Sequence, residues 1–204
     1  QIKQFAAFVK EHRYQVIITV DPGLEGAIAF VSYLNYLVVD IPVTKVNKKN
    51  VYDEERLWEY LRPFLADEEL RHSVFFAIEQ AQPGGKGSFG RGKKPCPACK
   101  RTPGDTPLTA FRVAWGCAMF QLLMVAFDIR RAYLNIAAWK KHAGLIGKDK
   151  EASRLAAQRM FPGADLKCKK HHNRAEALLM ARYVESKYSV NLAGSRSVRR
   201  EEEE

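Results

Sequence analysis

The sequence predicts an α/β fold built on a mixed sheet. Two short apolar runs are joined by a Pro-Gly turn near the start, and a strand-length run with almost no polar residue lies around position 75. The segments after them carry apolar residues at helical spacing.

Residues 1–12 read as a short helix that leads into a strand at 15–21. Pro22-Gly23 turns the chain into a second strand at 26–33, and a third follows at 37–41, an antiparallel meander. Residues 53–65 place Leu57, Trp58, Tyr60, Leu61, Phe64 and Leu65 at helical spacing, with Pro63 expected to distort the last turn. Residues 73–78 form the run expected of a parallel strand buried on both faces after a helical crossover. Residues 109–127 are apolar nearly all round, so this helix is buried on more than one side, in the core or against a second subunit. A strand at 131–135 and helices at 148–160 and 173–187 complete the order, with no internal repeat. The expectation is one domain over residues 1–190, interrupted by a flexible basic loop at 82–107 and followed by a disordered charged tail at 191–204.

The 204 residues include 33 Lys and Arg against 23 Asp and Glu, a formal charge of +10. Such a basic chain is built to meet a polyanion, and nucleic acid is the first candidate. No apolar run approaches the roughly 18 residues that span a bilayer, so no membrane partner is expected. Cys96, Cys99, Cys117 and Cys168 do not form a disulfide framework and point to a reducing compartment. Opening at Gln1 without a targeting pattern, the chain is expected to be a trimmed form whose targeting segment is absent.

Chemistry concentrates where strands and helices deliver carboxylates. Asp21 ends the first strand and Glu79 the fourth, and in a mixed sheet these ends can be neighbours at the centre. Glu176 lies in the first turns of the last helix, with His172 four residues earlier on the same helical face. Each residue has a purely structural alternative: Asp21 capping a turn, Glu79 pairing with an arginine, Glu176 favouring a helix N-terminus. Three carboxylates and a histidine from separate elements suit two Mg²⁺ ions about 4 Å apart, the arrangement that activates water and stabilises a leaving oxygen at a phosphodiester.

The pattern Val20-Asp21-Pro22-Gly23-Leu24-Glu25-Gly26-Ala27-Ile28-Ala29, then Ala77-Ile78-Glu79-Gln80, then Arg174-Ala175-Glu176-Ala177-Leu178-Leu179 resembles the RuvC family of Holliday-junction resolvases, within the ribonuclease-H-like superfamily. Ala138-Trp139-Lys140-Lys141 and residues 148–153 fit the same resemblance, which runs in order over roughly residues 15–185 and is nearest to the plant chloroplast branch. It implies a five-stranded mixed sheet flanked by helices, and a homodimer, formed through the 109–127 helix, that nicks four-way DNA junctions symmetrically with Mg²⁺ or Mn²⁺. Asp21, Glu79 and Glu176 would be catalytic carboxylates and metal ligands. In the bacterial enzymes the remaining ligand sits three residues before the final carboxylate. Here that position is Asn173, so His172 is taken as the fourth ligand; the alternative is that Asn173 is an inactivating replacement of an aspartate. The rival activities are junction binding without catalysis, and cleavage of hybrids or flaps by a related nuclease. A chloroplast location follows from the same resemblance.

Within the 82–107 loop, Lys86, Ser88, Phe89, Arg91, Lys93 and Lys94 combine charge with one aromatic ring, suited to phosphates and to stacking at a junction centre. Lys140 and Lys141 are further candidate DNA contacts, with ordinary surface lysines as the alternative. Cys96-Pro97-Ala98-Cys99 is half a zinc motif; only Cys168 and His171 are available to complete it.

Overall fold

A computed structural model describes residues 1–80 and 107–194, with side chains from 111 onward in the second stretch. Helix α1 (Ile2–His12) precedes strands β1 (Val16–Asp21), β2 (Ala27–Val31) and β3 (Tyr36–Asp40). A hairpin follows, β4 (Val43–Val46) and β5 (Lys49–Tyr52), then helices α2 (Glu54–Leu65) and α3 (Glu68–His72) and strand β6 (Val74–Glu79). Helix α4 (Pro107–Ala126), strand β7 (Arg130–Leu134), and helices α5 (Ile136–His142), α6 (Lys150–Met160) and α7 (His172–Tyr188) complete the chain.

The five-stranded sheet has the order β3-β2-β1-β6-β7. β1 and β2, and β2 and β3, are antiparallel; β1, β6 and β7 run parallel. Strand alternation divides the core into two layers. Val16, Ile18 and Val20 of β1 and Val74, Phe76 and Ile78 of β6 face α1, α2 and the buried stripe of α4. Ile17, Phe75 and Ala77 face the opposite way, toward α5, α6 and α7. Both layers are continuous, which is why β1 and β6 read as apolar without interruption.

Caps set several boundaries. Asp53 accepts from Arg56 N–H at the start of α2, and Asp149 accepts from Ala152 N–H, so α6 begins at Lys150 rather than at 148. Helix α2 runs through Pro63 to Leu65, and Ala66 N–H closes it onto Arg62 O. The β4–β5 hairpin, α3 and α5 were not expected; each is short, and a short element has too few turns or alternations to show a period.

One expectation needs correction. Residues 191–194 are not a free tail: Leu192 packs in the core at 5% exposure, and its carbonyl accepts the Gln15 N–H. Helix α4, expected in the core or against a second subunit, buries one apolar stripe within the chain and exposes another. Phe120 and Met124 are fully buried, while Phe111, Trp115, Leu122 and Val125 are 60%, 50%, 69% and 56% exposed. Among the described residues no helix is long and apolar enough to cross a membrane. The 82–107 loop lies almost wholly outside the described residues, and 195–204 lie outside them entirely.

Phe64 is fully buried between Phe30 (ring centroids 5.0 Å apart, stacked) and Phe5 (6.2 Å). Phe64→Ala is expected to lower the unfolding free energy by about 3–5 kcal/mol in urea denaturation. A loss below about 1 kcal/mol would mean that this layer is loosely packed.

Candidate active site

Asp21 is the last residue of β1, and Glu79 the last of β6. The parallel register pairs Val20 with Ile78, so the next step sets the two carboxylates side by side. Both point to the face covered by α7, because Asp21 follows Thr19, and Glu79 follows Ala77, by two residues. Thr19 is fully buried there, and its hydroxyl donates to Ala177 O at 2.7 Å, which draws α7 onto β1 one residue from Glu176.

The turn after Asp21 is tight. Gly23 N–H bonds Asp21 O at 3.0 Å, and Gly26 N–H bonds Gly23 O at 2.9 Å. A Cβ on Gly26 would lie 1.9 Å from Asp21 O, so no other residue fits. Tyr52 braces the turn from outside: its hydroxyl lies 3.4 Å from Pro22 O and 3.1 Å from Arg112 O of α4. Gly116 makes room for that contact, since a Cβ there would come within 2.4 Å of the Tyr52 hydroxyl. Burial pushes the Tyr52 phenol up to about 12, so it remains a donor at neutral pH.

The carboxylates of Glu79 and Glu176 lie close enough to Asp21 to repel its charge. Burial, then Glu79, then Glu176 push the Asp21 carboxyl well above the usual carboxylate range, with Lys140 and Lys150 opposing. Asp21 keeps a narrow opening to solvent, but protein surrounds its carboxyl closely enough for desolvation to dominate. Burial also pushes Glu79 up to about 7, against the Trp139 hydrogen bond. Glu79 and Glu176 each have a brace. Trp139 Nε1 donates to Glu79 Oε2 at 2.8 Å. Glu176 Oε1 lies 3.3 Å from Lys140 Nζ and 3.3 Å from Ser153 Oγ.

His172 does not join this group directly. Its Nε2 lies 2.8 Å from Lys150 Nζ, and its Nδ1 lies 3.3 Å from Lys169 O. With Nδ1–H donating to the carbonyl, the Nε2 lone pair that a metal would use accepts from the Lys150 ammonium. Asn173 turns its side-chain N–H to Glu25 O and so holds the turn after Asp21, a bond an ionised aspartate could not donate. Next to it, Arg174 grips both oxygens of Asp40 (2.6 and 2.7 Å) and Asp165 (2.8 Å), pinning the start of α7 to the end of β3.

Among the described residues, no three His, Cys, Asp or Glu side chains converge closely enough to enclose a metal ion in this conformation. The donor set is nonetheless the right chemistry for a hard divalent cation: carboxylate oxygens in a desolvated crevice with a surplus of negative charge. The chemistry of Asp21, Glu79 and Glu176 thus suits such a cation, while their spacing in this conformation does not enclose one.

Lys140 is placed at the crevice rather than out on the surface, and its ammonium also sits 5.0 Å from the Trp139 ring centroid. Lys141 is exposed. Cys168 is exposed and His171 buried; Cys96, Cys99, Lys86, Ser88, Phe89, Arg91, Lys93 and Lys94 lie outside the described residues. Trp139, Lys150, Ser153 and Tyr52 were not foreseen as supports of the site. Trp139 and Ser153 stand within matched motifs, but motif matching does not say which carboxylate a side chain will hold.

No protein-family model matches the chain. Over 85 residues it is 34% identical to "Holliday junction resolvase MOC1, chloroplastic" of Chlamydomonas reinhardtii, a match that covers 40% of this chain and 10% of the relative. The chain thus spans about a tenth of that relative's length. Among solved structures it is similar to T. thermophilus RuvC in complex with Holliday junction substrate (12% identity, 86% of this chain, 98% of that one, TM-score 0.49). It is also similar to the Thermus thermophilus RuvC structure (14% identity, the same coverages, TM-score 0.45). The likeness to a Holliday-junction resolvase read from the motifs recurs in the name of the partly matching relative.

A Glu79 carboxyl raised from 4.5 to about 7 binds its proton more tightly folded than unfolded. Its contribution to stability is full below about 4.5 and is lost as the pH rises through about 7. In EDTA, Glu79→Gln should gain on the unsubstituted chain across that window, by up to roughly 3 kcal/mol at pH 8. Urea unfolding at pH 4.5 and pH 8 checks this; a stability difference independent of pH would mean that Glu79 titrates normally.

Proposed function

We propose that this chain is a Holliday junction resolvase: a homodimeric, structure-selective endodeoxyribonuclease that hydrolyses phosphodiesters at four-way DNA junctions with Mg²⁺ or Mn²⁺. The observation that carries the reading is the electrostatic coupling of Asp21, Glu79 and Glu176, delivered by two adjacent parallel strands and one helix into a single crevice of a basic protein.

Asp21, Glu79 and Glu176 would hold two divalent cations, with His172 at the edge of the set once Lys150 releases its Nε2. The cations would supply a water of lowered pKa and charge stabilisation at the leaving oxygen. The chain's own residues do the positioning. Trp139 fixes the rotamer of Glu79, and Ser153 fixes that of Glu176. Lys140 and Lys150 offset negative charge while the crevice is free, and both would meet a scissile phosphate when DNA arrives. Lys86, Ser88, Phe89, Arg91, Lys93, Lys94 and Lys141 would make the outer DNA contacts.

A four-way junction has two-fold symmetry, so cutting opposed strands requires two sites related by a two-fold axis. The exposed apolar face of α4, with Phe111, Trp115, Leu122 and Val125, supports dimerisation there. A chloroplast setting accords with the named relative. Junction binding without cleavage is the second reading, favoured by the Asn173 amide bonded to Glu25 O where the bacterial pattern has a ligand.

With a labelled four-way junction in Mg²⁺, paired symmetrical nicks are expected, and Asp21→Asn should reduce them at least about a hundredfold while leaving junction affinity intact. Tight binding without nicks in the unsubstituted chain would select the second reading; equal affinity for linear duplex would sink both. Leu122→Glu should convert a dimer to a monomer in sedimentation and abolish paired nicking, and a dimer that persists would exclude the α4 face.

A further inference from the structure

The β4–β5 hairpin pairs with no strand of the main sheet, and apart from Tyr52 at its base it has no role in the site described above. Residues 43–50 are all exposed, and Lys45, Lys48 and Lys49 lie among them without a carboxylate from residue 41 to residue 52. The two flanking acids are already engaged, Asp40 by Arg174 and Asp53 as the cap of α2. None of the three lysines makes an ion pair among the described residues. A concentrated, uncompensated positive charge is thus carried on a projection of the fold.

The projection is closed by a tight turn, and it starts at the active-site turn. Asn47 and Lys48 both have positive φ (49° and 61°), the backbone of a two-residue type I′ turn that matches strand twist. At the base, Asp53 N–H bonds Pro42 O at 3.0 Å, and Ile41 N–H bonds Gly26 O at 2.9 Å. Tyr52, the last residue of β5, touches Pro22 O. The hairpin is therefore fastened at both ends to the segment that follows Asp21. Strand alternation puts Lys45 on the face that carries Tyr52 and Lys49 on the other, with Lys48 at the tip.

Resting on the nuclease reading, we infer that the β4–β5 hairpin is a second DNA-binding element, in which Lys45, Lys48 and Lys49 grip the phosphate backbone of a duplex arm beside the crevice. Lys45 is level with Asn50, two residues from Tyr52, and Lys49 and Lys48 are three and four residues from it; at about 3.3 Å per residue, the lysines stand roughly 7–13 Å along the hairpin from its base. At about 3.4 Å per nucleotide along a strand, that reaches phosphates some two to four nucleotides from the one at Asp21. The grip is on the backbone alone, so it sets affinity and register without reading bases.

The test is binding to a labelled four-way junction in EDTA as a function of salt, for the unsubstituted chain and for Lys45→Ala/Lys48→Ala/Lys49→Ala. The slope of log K against log salt should become less negative by roughly 0.9 for each phosphate that is no longer neutralised, about 2 to 3 in all. Should the triple variant fail to fold by circular dichroism, the three single variants are measured, each expected to flatten the slope by about 0.9. An unchanged slope with intact junction binding overturns the hairpin assignment and leaves the nuclease reading standing. An unsubstituted chain that binds neither junction nor duplex overturns both.

Discussion

The site depends on how closely α7 lies on β1, and that closeness rests on a buried hydrogen bond. Thr19 occupies a fully buried position in a strand whose other buried residues are Val and Ile, and its hydroxyl is satisfied by a helix carbonyl, Ala177 O. A buried hydroxyl without a partner costs about 1–3 kcal/mol, so the bond selects one register of helix on sheet. Ala175, Ala177 and Ala181 are also fully buried, and their small side chains let the helix approach the strand. Glu176 stands between two of these alanines, so the packing that seats α7 also aims Glu176 at the strand ends.

Once the carboxylates are placed, their charge governs the crevice. Asp21 and Glu79 both resist ionisation because burial removes water, and the neighbouring carboxylates add repulsion. Two lysines oppose three acids, and they do so from α5 and α6, the elements that also supply Trp139 and Ser153. Binding groups and bracing groups therefore come from different elements, so the bracing can be rigid while the carboxylates remain free to accept a ligand.

The turn from Pro22 to Gly26 is the mechanical centre of the molecule. Pro22 O receives Tyr52, Glu25 O receives Asn173, and Gly26 O receives Ile41 N–H. Through these contacts the turn touches the hairpin, α7 and the end of β3, and Tyr52 adds α4 through Arg112 O. A shift of α4 at a subunit contact would be felt at Asp21 through one side chain.

The sequence by itself determined the sheet and its acids. Long apolar runs and helical periods are local signals, and they marked β1, β2, β3, β6, α2 and α7, with Asp21 and Glu79 at strand ends and Glu176 on a helix. Tertiary structure alone decided what each polar side chain meets. His172 shares a helical face with Glu176, yet Lys150, 22 residues away, takes its lone pair. Trp139, on a helix too short to show a period, holds Glu79 from 60 residues away. The small hairpin was missed because Val43-Thr44-Lys45-Val46 is exposed throughout and so carries no buried face to pattern. Periodicity records which residues leave water; it does not record which polar groups meet, because such pairs form between chain segments that come together only when the sheet and its two helical layers have closed.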